Sequence, residues 1–90
     1  MLTLCTIVVG LAHTCSATAF TGTTPVERGD RVYDCSVVMG EVFACSLPHT
    51  GLVVLSRGAG GKHVSCQVSH GIVTRCEATG FNGKSVLQRP

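Results

Sequence analysis

Cys45, His49, His63, Cys66 and His70 are residue types that ligate zinc, and they lie close enough in sequence to suggest a metal centre. The spacing argues otherwise, because no C-x-x-C knuckle is present and thiols in an oxidising compartment become disulfides. The same oxidation disfavours a Cys–His nucleophile pair. The carboxylates Glu27, Asp30, Asp34, Glu41 and Glu77 suggest no acid–base pair and read as solvated surface. Gly58-Ala59-Gly60-Gly61-Lys62 has the outline of a phosphate-binding loop. However, Ser56 stands where the first glycine belongs, and His63 replaces the hydroxyl residue that would reach magnesium. A glycine turn is the better account. Arg28-Gly29-Asp30 is the integrin-binding tripeptide, and a chance turn explains it more simply. The expectation is a protein that binds rather than catalyses, with no cofactor and no metal.

Composition supports the same class. Seven Lys and Arg against five Asp and Glu give a net charge of +2, scattered rather than gathered into a nucleic-acid stripe. With no Trp and one Tyr, the chain lacks stacking aromatics for single strands. Asn82, the only Asn, is followed by Gly-Lys, so no glycosylation sequon exists.

Residues 1–19, MLTLCTIVVGLAHTCSATA, read as a secretory signal peptide. Leu2 to Ala12 is uncharged and too short to span a bilayer, and Ala17-Thr18-Ala19 offers the small residues of a cleavage site. Removing this segment removes Cys5 and Cys15 and leaves an even set, Cys35, Cys45, Cys66 and Cys76. What remains, roughly 70 residues, is small enough to need disulfides for stability.

The elements follow from periodicity. Residues 20–31, FTGTTPVERGDR, are polar and read as a flexible arm. Residues 35–45 and 66–76 both fit C-x-V-x-x-G-x-V-x-x-C, which is strand–turn–strand with a cysteine at each end. Strands are expected over residues 32–38 and 41–46, followed by a break at Pro48-His49-Thr50-Gly51. Leu52, Val53, Val54 and Leu55 form an unbroken apolar run, as in a strand covered on both faces or paired centrally. His63 to Ser69 alternates strictly, with Val64, Cys66 and Val68 on one side. A fifth strand is expected over residues 72–78. Phe81-Asn82-Gly83-Lys84 reads as a hairpin turn leading to a sixth strand over residues 85–88, ended by Pro90. The predicted fold is all-β, a six-stranded antiparallel sandwich of two three-stranded sheets stapled by two disulfides, occupying residues 32–90.

Four cysteines allow three pairings. The internal repeat suggests the local bonds Cys35–Cys45 and Cys66–Cys76. With a two-residue loop, cysteines at the hairpin ends would fall on opposite faces, while a three-residue loop would bring them together.

The separation of Cys35 and Cys76, Cys45 followed by Pro48, the run Glu77-Ala78-Thr79-Gly80-Phe81 after Cys76, and Phe81-Asn82-Gly83-Lys84-Ser85-Val86 together resemble the MAX effectors. These are small secreted fungal proteins with a six-stranded β-sandwich, and the likeness spans most of residues 35–88. The first hairpin is tighter here than in that family, and Cys66 is not a general family feature. The resemblance implies a Cys35–Cys76 bond, leaving Cys45–Cys66 as the nested second. It also implies a non-catalytic virulence effector, monomeric, secreted and acting in the apoplast or the host cytoplasm. Its partner would be a host plant protein, such as the heavy-metal-associated domain of an immune receptor, bound by strand-edge pairing. Leu52, Val53, Val54, Leu55 and Ser56 are the candidate edge, with buried core as the alternative for the same residues. Neither nucleic-acid binding nor membrane insertion is expected. Two other functions compete. An apoplastic toxin or antimicrobial protein is disfavoured by the low charge and weak amphipathicity. A protease inhibitor would present Leu47 to Gly51 as a rigid loop.

Overall fold

The computed structural model describes residues 1–88, so a strand end at Pro90 lies outside the described residues. The strands are β1 Leu2–Val8, β2 Leu11–Cys15, β3 Gly22–Arg28, β4 Arg31–Val38, β5 Glu41–Pro48, β6 Gly51–Leu55, β7 Val64–Ser69, β8 Ile72–Cys76 and β9 Gly83–Gln88. They form three antiparallel three-stranded sheets, ordered β2-β1-β9, β3-β4-β5 and β6-β7-β8. The all-β expectation holds. The two-sheet, six-strand sandwich does not, because the first 31 residues contribute three strands of their own.

That correction has a definite origin. Residues 5–15, CTIVVGLAHTC, are a third copy of the cysteine hairpin, with Ile7 and Ala12 at the two valine positions. Within the segment read as a leader, Leu2, Cys5 and Ile7 turn inward and are buried. β1 pairs with β2 on one side and with β9 on the other, from Leu2↔Gln88 to Ile7↔Gly83. Residues 20–31 are likewise not a free arm. β3 pairs with β4 from Gly22↔Val37 to Arg28↔Arg31.

Each hairpin turns through two residues, Val9-Gly10, Met39-Gly40 and His70-Gly71, and all six have positive φ. This is the type I′ geometry that matches the twist of the flanking strands. Each hairpin then gains one residue on its second strand. Ile7 faces Ala12 but Thr6 faces Thr14, Val37 faces Val42 but Ser36 faces Ala44, and Val68 faces Val73 but Gln67 faces Arg75. His13, Phe43 and Thr74 are therefore the extra residues of three equivalent β-bulges. The bulge moves the register by one, so Cys5 faces Cys15, Cys35 faces Cys45 and Cys66 faces Cys76.

The disulfides are accordingly local: Cys5–Cys15, Cys35–Cys45 and Cys66–Cys76. The Cys35–Cys76 and Cys45–Cys66 pairing is corrected. A two-residue loop would indeed place the cysteines on opposite faces, and the bulge brings them back to one face.

Three sequence-related units, residues 1–30, 31–61 and 62–88, join by one rule used three times. The N–H groups of Leu2, Val32 and His63 donate to the carbonyls of Gly40, Gly71 and Gly10, each at 2.8 Å. The N–H groups of Gly40, Gly71 and Gly10 donate to the carbonyls of Phe20, His49 and Phe81 at 2.8 to 2.9 Å. Unit one thus holds the turn of unit two, unit two that of unit three, and unit three that of unit one. The result is a closed pseudo-threefold ring. Ile7, Val37 and Val68 fill equivalent buried positions beside the buried cysteines Cys5, Cys35 and Cys66. These small, stiff side chains suit strands pressed closely together.

The Asn82-Gly83 segment makes no hairpin. Gly83 opens β9, which crosses to β1 instead of returning along β8. Asn82 Oδ1 accepts a hydrogen bond from Val9 N–H at 2.8 Å, and Thr21 and Thr50 cap the turns of Met39 and His70 through their hydroxyls in the same way. Three polar side chains therefore hold the three turns. Gly80 serves the same seam by having no side chain. A Cβ there would collide with the backbone of Val9 and Gly10. Gly80→Ala is expected to cost about 1–3 kcal/mol by overpacking, read as a lowered thermal midpoint. An unchanged midpoint would contradict this packing.

Candidate functional site

β2, β5 and β8 each end one of the three sheets, and among the described residues each leaves one backbone edge without a strand partner. β5 has eight residues against five in each of the other two. Edge strands commonly carry charge that discourages pairing. β8 carries Arg75, which reaches Glu77 at 4.0 Å, whereas Glu41 is the only ionisable side chain on β5. The bulge turns Phe43 outward, leaving it 79% exposed, and Leu47 is 71% exposed on the same strand. Met39, in the turn leading into β5, is also exposed. Large apolar side chains thus flank an open row of backbone donors and acceptors. The sequence signal for this edge was Phe43 at a position where the other two hairpins carry His13 and Thr74.

Leu52, Val53, Val54 and Leu55 lie on β6, and Ser56 follows its end. β6 is also an outermost strand of its sheet, not a central one. Its surroundings differ from those of β5. β3, β6 and β9 together line two axial cavities, of about 220 and 500 Å³. Thr24 and Ser85 line the first, and Pro25, Val53, Val54 and Val86 belong to both. Val53 and Val54 of the candidate edge thus lie beside β3 and β9, while Leu52 is 66% exposed.

The second unit departs from its relatives at one linked pair. Phe20 and Phe81 are answered by His49, while Leu4 and Ser65 are answered by Asp34. His49 Nδ1 lies 2.6 Å from Asp34 Oδ1, and its Nε2 lies 3.1 Å from the Leu52 carbonyl. Through these two contacts the pair fastens β4 to the start of β6. Ser46 Oγ donates to the Asp34 carbonyl at 3.3 Å, away from the imidazole. Leu47 to Gly51 is not a projecting loop. Leu47 and Pro48 end β5, and His49 is bonded through its backbone to Val32 and Gly71.

The residues considered for zinc do not converge. All six cysteines are in disulfides, and among the described residues no three His, Cys, Asp or Glu side chains gather as a metal site. Gly58 to Lys62 closes on itself around the short 3-10 turn Ala59–Gly61, with Ser56 Oγ donating to the Gly61 carbonyl at 2.7 Å. In the tripeptide Arg28-Gly29-Asp30, Arg28 ends β3 and Gly29-Asp30 form the exposed turn before β4. Arg57 pairs with Glu27, joining units one and two. Among the described residues no helix is long and apolar enough to cross a membrane. No protein-family model, curated protein or solved structure matches the chain.

Proposed function

We propose that this chain is a non-catalytic binding module that captures an extended segment of a partner protein along β5. The observation that carries this is the long, nearly uncharged outer edge of β5 beside exposed Phe43 and Leu47. An added strand would satisfy the free backbone groups of that edge, and its alternate side chains would meet the apolar residues. The ring provides a rigid support, since three disulfides and three equivalent seams hold the hairpins in place.

The finer reading is a secreted, host-directed effector whose partner is a plant protein. It rests on the likeness of residues 81–86 to the MAX effectors, and it no longer has the Cys35–Cys76 bond in its support. Expression in plant cells tests it through suppression of immune output or receptor-dependent death. Equal death in plants lacking the receptor would favour a toxin.

The edge itself is tested without a host. Selection of a random peptide library on the folded protein is expected to enrich extended peptides with alternating apolar residues. Their binding should slow amide exchange on β5, and Phe43→Lys with Leu47→Lys should weaken it at least tenfold. Protection centred on another strand, or no enrichment, would overturn the proposal.

A further inference from the structure

The sheet β2-β1-β9 differs from the other two in what its outer face displays. Along β1, Cys5 and Ile7 turn inward, so Leu4, Thr6 and Val8 alternate to the outside. β9 sets Lys84 opposite Thr6, and β2 sets Leu11 opposite Val8. Leu4 and Val8 are exposed, and so are Val9 in the turn, at 56%, and Leu11, at 60%. Val8, Val9 and Leu11 thus surround Gly10 with aliphatic side chains only. At the equivalent places Glu41 interrupts the apolar set around Gly40, and Ser69 and His70 interrupt that around Gly71.

Charge is distributed just as unevenly. The three strands of this sheet contain no Asp or Glu, and Lys84 is their only Lys or Arg. The neighbouring sheet β3-β4-β5 carries Glu27, Asp34 and Glu41. Lys62 stands beside the hairpin turn, its Cβ 3.0 Å from where a side chain on Gly10 would begin. Lys62 and Lys84 are both exposed, and among the described residues neither joins an ion pair. Two unpaired cations therefore border an apolar patch that has no acid of its own. That combination separates the possible occupants. A second copy of the chain fits poorly, because a twofold axis through the patch would bring two Lys84 side chains together. A protein partner also fits poorly, since the centres of such interfaces favour arginine and are depleted of lysine. Arg28, Arg31, Arg57 and Arg75 all lie outside this sheet. A lysine stem lies along apolar surface while its ammonium stays in water, which suits the boundary between acyl chains and negative headgroups.

We propose that the outer face of the sheet β2-β1-β9, led by the hairpin tip at Val9, docks on an anionic lipid surface without crossing it. Val8, Val9 and Leu11 enter the edge of the acyl layer, and Lys62 and Lys84 meet the negative headgroups. Buried apolar area and attraction to anionic lipid both contribute to such binding. Gly10 is bonded to Phe81 and His63 through its N–H and carbonyl, so the tip is held in place before it docks. This face uses none of the β5 residues, so it stands or falls apart from the strand-edge proposal.

The test is co-sedimentation of the oxidised full chain with vesicles of phosphatidylcholine alone and of phosphatidylcholine mixed with phosphatidylserine. Binding to the mixed vesicles is expected to be at least tenfold tighter and to weaken as salt is raised. Lys62→Glu with Lys84→Glu should weaken it at least tenfold while leaving the thermal midpoint unchanged. The chain has no Trp, so Leu11→Trp places a single reporter whose emission should shift to the blue on the mixed vesicles. Soluble glycerophosphoserine should not displace the protein, because it offers the charge without an apolar layer. Absence of binding, equal binding to both vesicles, undiminished binding after charge reversal, or an unshifted emission would each overturn the proposal. Displacement by glycerophosphoserine would overturn it as well, in favour of a site for the free headgroup.

Discussion

A chain beginning at Phe20 is expected not to fold. Such a truncation removes β1 and β2, and β1 is the strand that pairs with β9 among the described residues. Leu2 and Ile7, both buried, leave the core. Each would forfeit about 1.5–3 kcal/mol of burial. Together with the broken seams at Gly40 and His63, this approaches the whole stability of a small domain, about 5–15 kcal/mol. Circular dichroism of the Phe20–Pro90 chain should show no cooperative thermal transition, whereas the full chain should show one. A cooperative transition in the truncated chain would mean that residues 1–19 are dispensable, as a leader would be. Intact mass and N-terminal sequencing of protein secreted from a host cell address the same point. The expected folded species retains Cys5 bonded to Cys15.

Removing one hairpin disulfide is the second large effect. Cys35→Ser with Cys45→Ser is expected to cost about 3 kcal/mol, because the bond closes a short loop in the unfolded chain. For a domain of this size that lowers the thermal midpoint by about 12–24 °C. Reducing all three bonds should leave the chain unfolded at ordinary temperature, since the summed loss, about 9 kcal/mol, lies within the span of total domain stability. Non-reducing peptide mapping of the oxidised protein should yield the three local pairs. A peptide linking Cys35 to Cys76 would refute them. A reduced protein with an unchanged midpoint would refute the stabilising role.

The second and third hairpins were legible in the sequence because Cys35–Cys45 and Cys66–Cys76 repeat each other with valines around a glycine. The first was present in the same form, Cys5 to Cys15 around Gly10, but its apolar composition also suits a signal peptide. Apolar alternation in a buried strand and the apolar core of a leader look alike over so few residues. The bulges at His13, Phe43 and Thr74 left no comparable mark, since an inserted residue changes the register without changing the pattern that a sequence displays. That single displacement decided the disulfide pairing. Asn82-Gly83 misled for another reason. Its side chain caps the turn at Val9, a contact made only after the ring closes. The β5 edge and the apolar face of the first sheet were hidden for the same cause, since both depend on which unit follows which around the axis.

The seams also make the fold modular in a sense that a chain of ninety residues does not advertise. Each third carries one hairpin, one bonded cysteine pair, one turn to be held and one segment that holds the next. No bond of the seam rule requires the thirds to be covalently joined. Three separate copies of one third, arranged as a cyclic trimer, could satisfy the same backbone hydrogen bonds, with rotation by symmetry doing what the polypeptide links do here. What the continuous chain adds is the freedom to make the thirds unequal: an acid-free apolar face on one sheet, an Asp–His clasp in the next unit, and a bare phenylalanine on one edge only. A symmetric ancestor or design would have three identical faces, whereas this chain has three distinguishable ones on a shared frame.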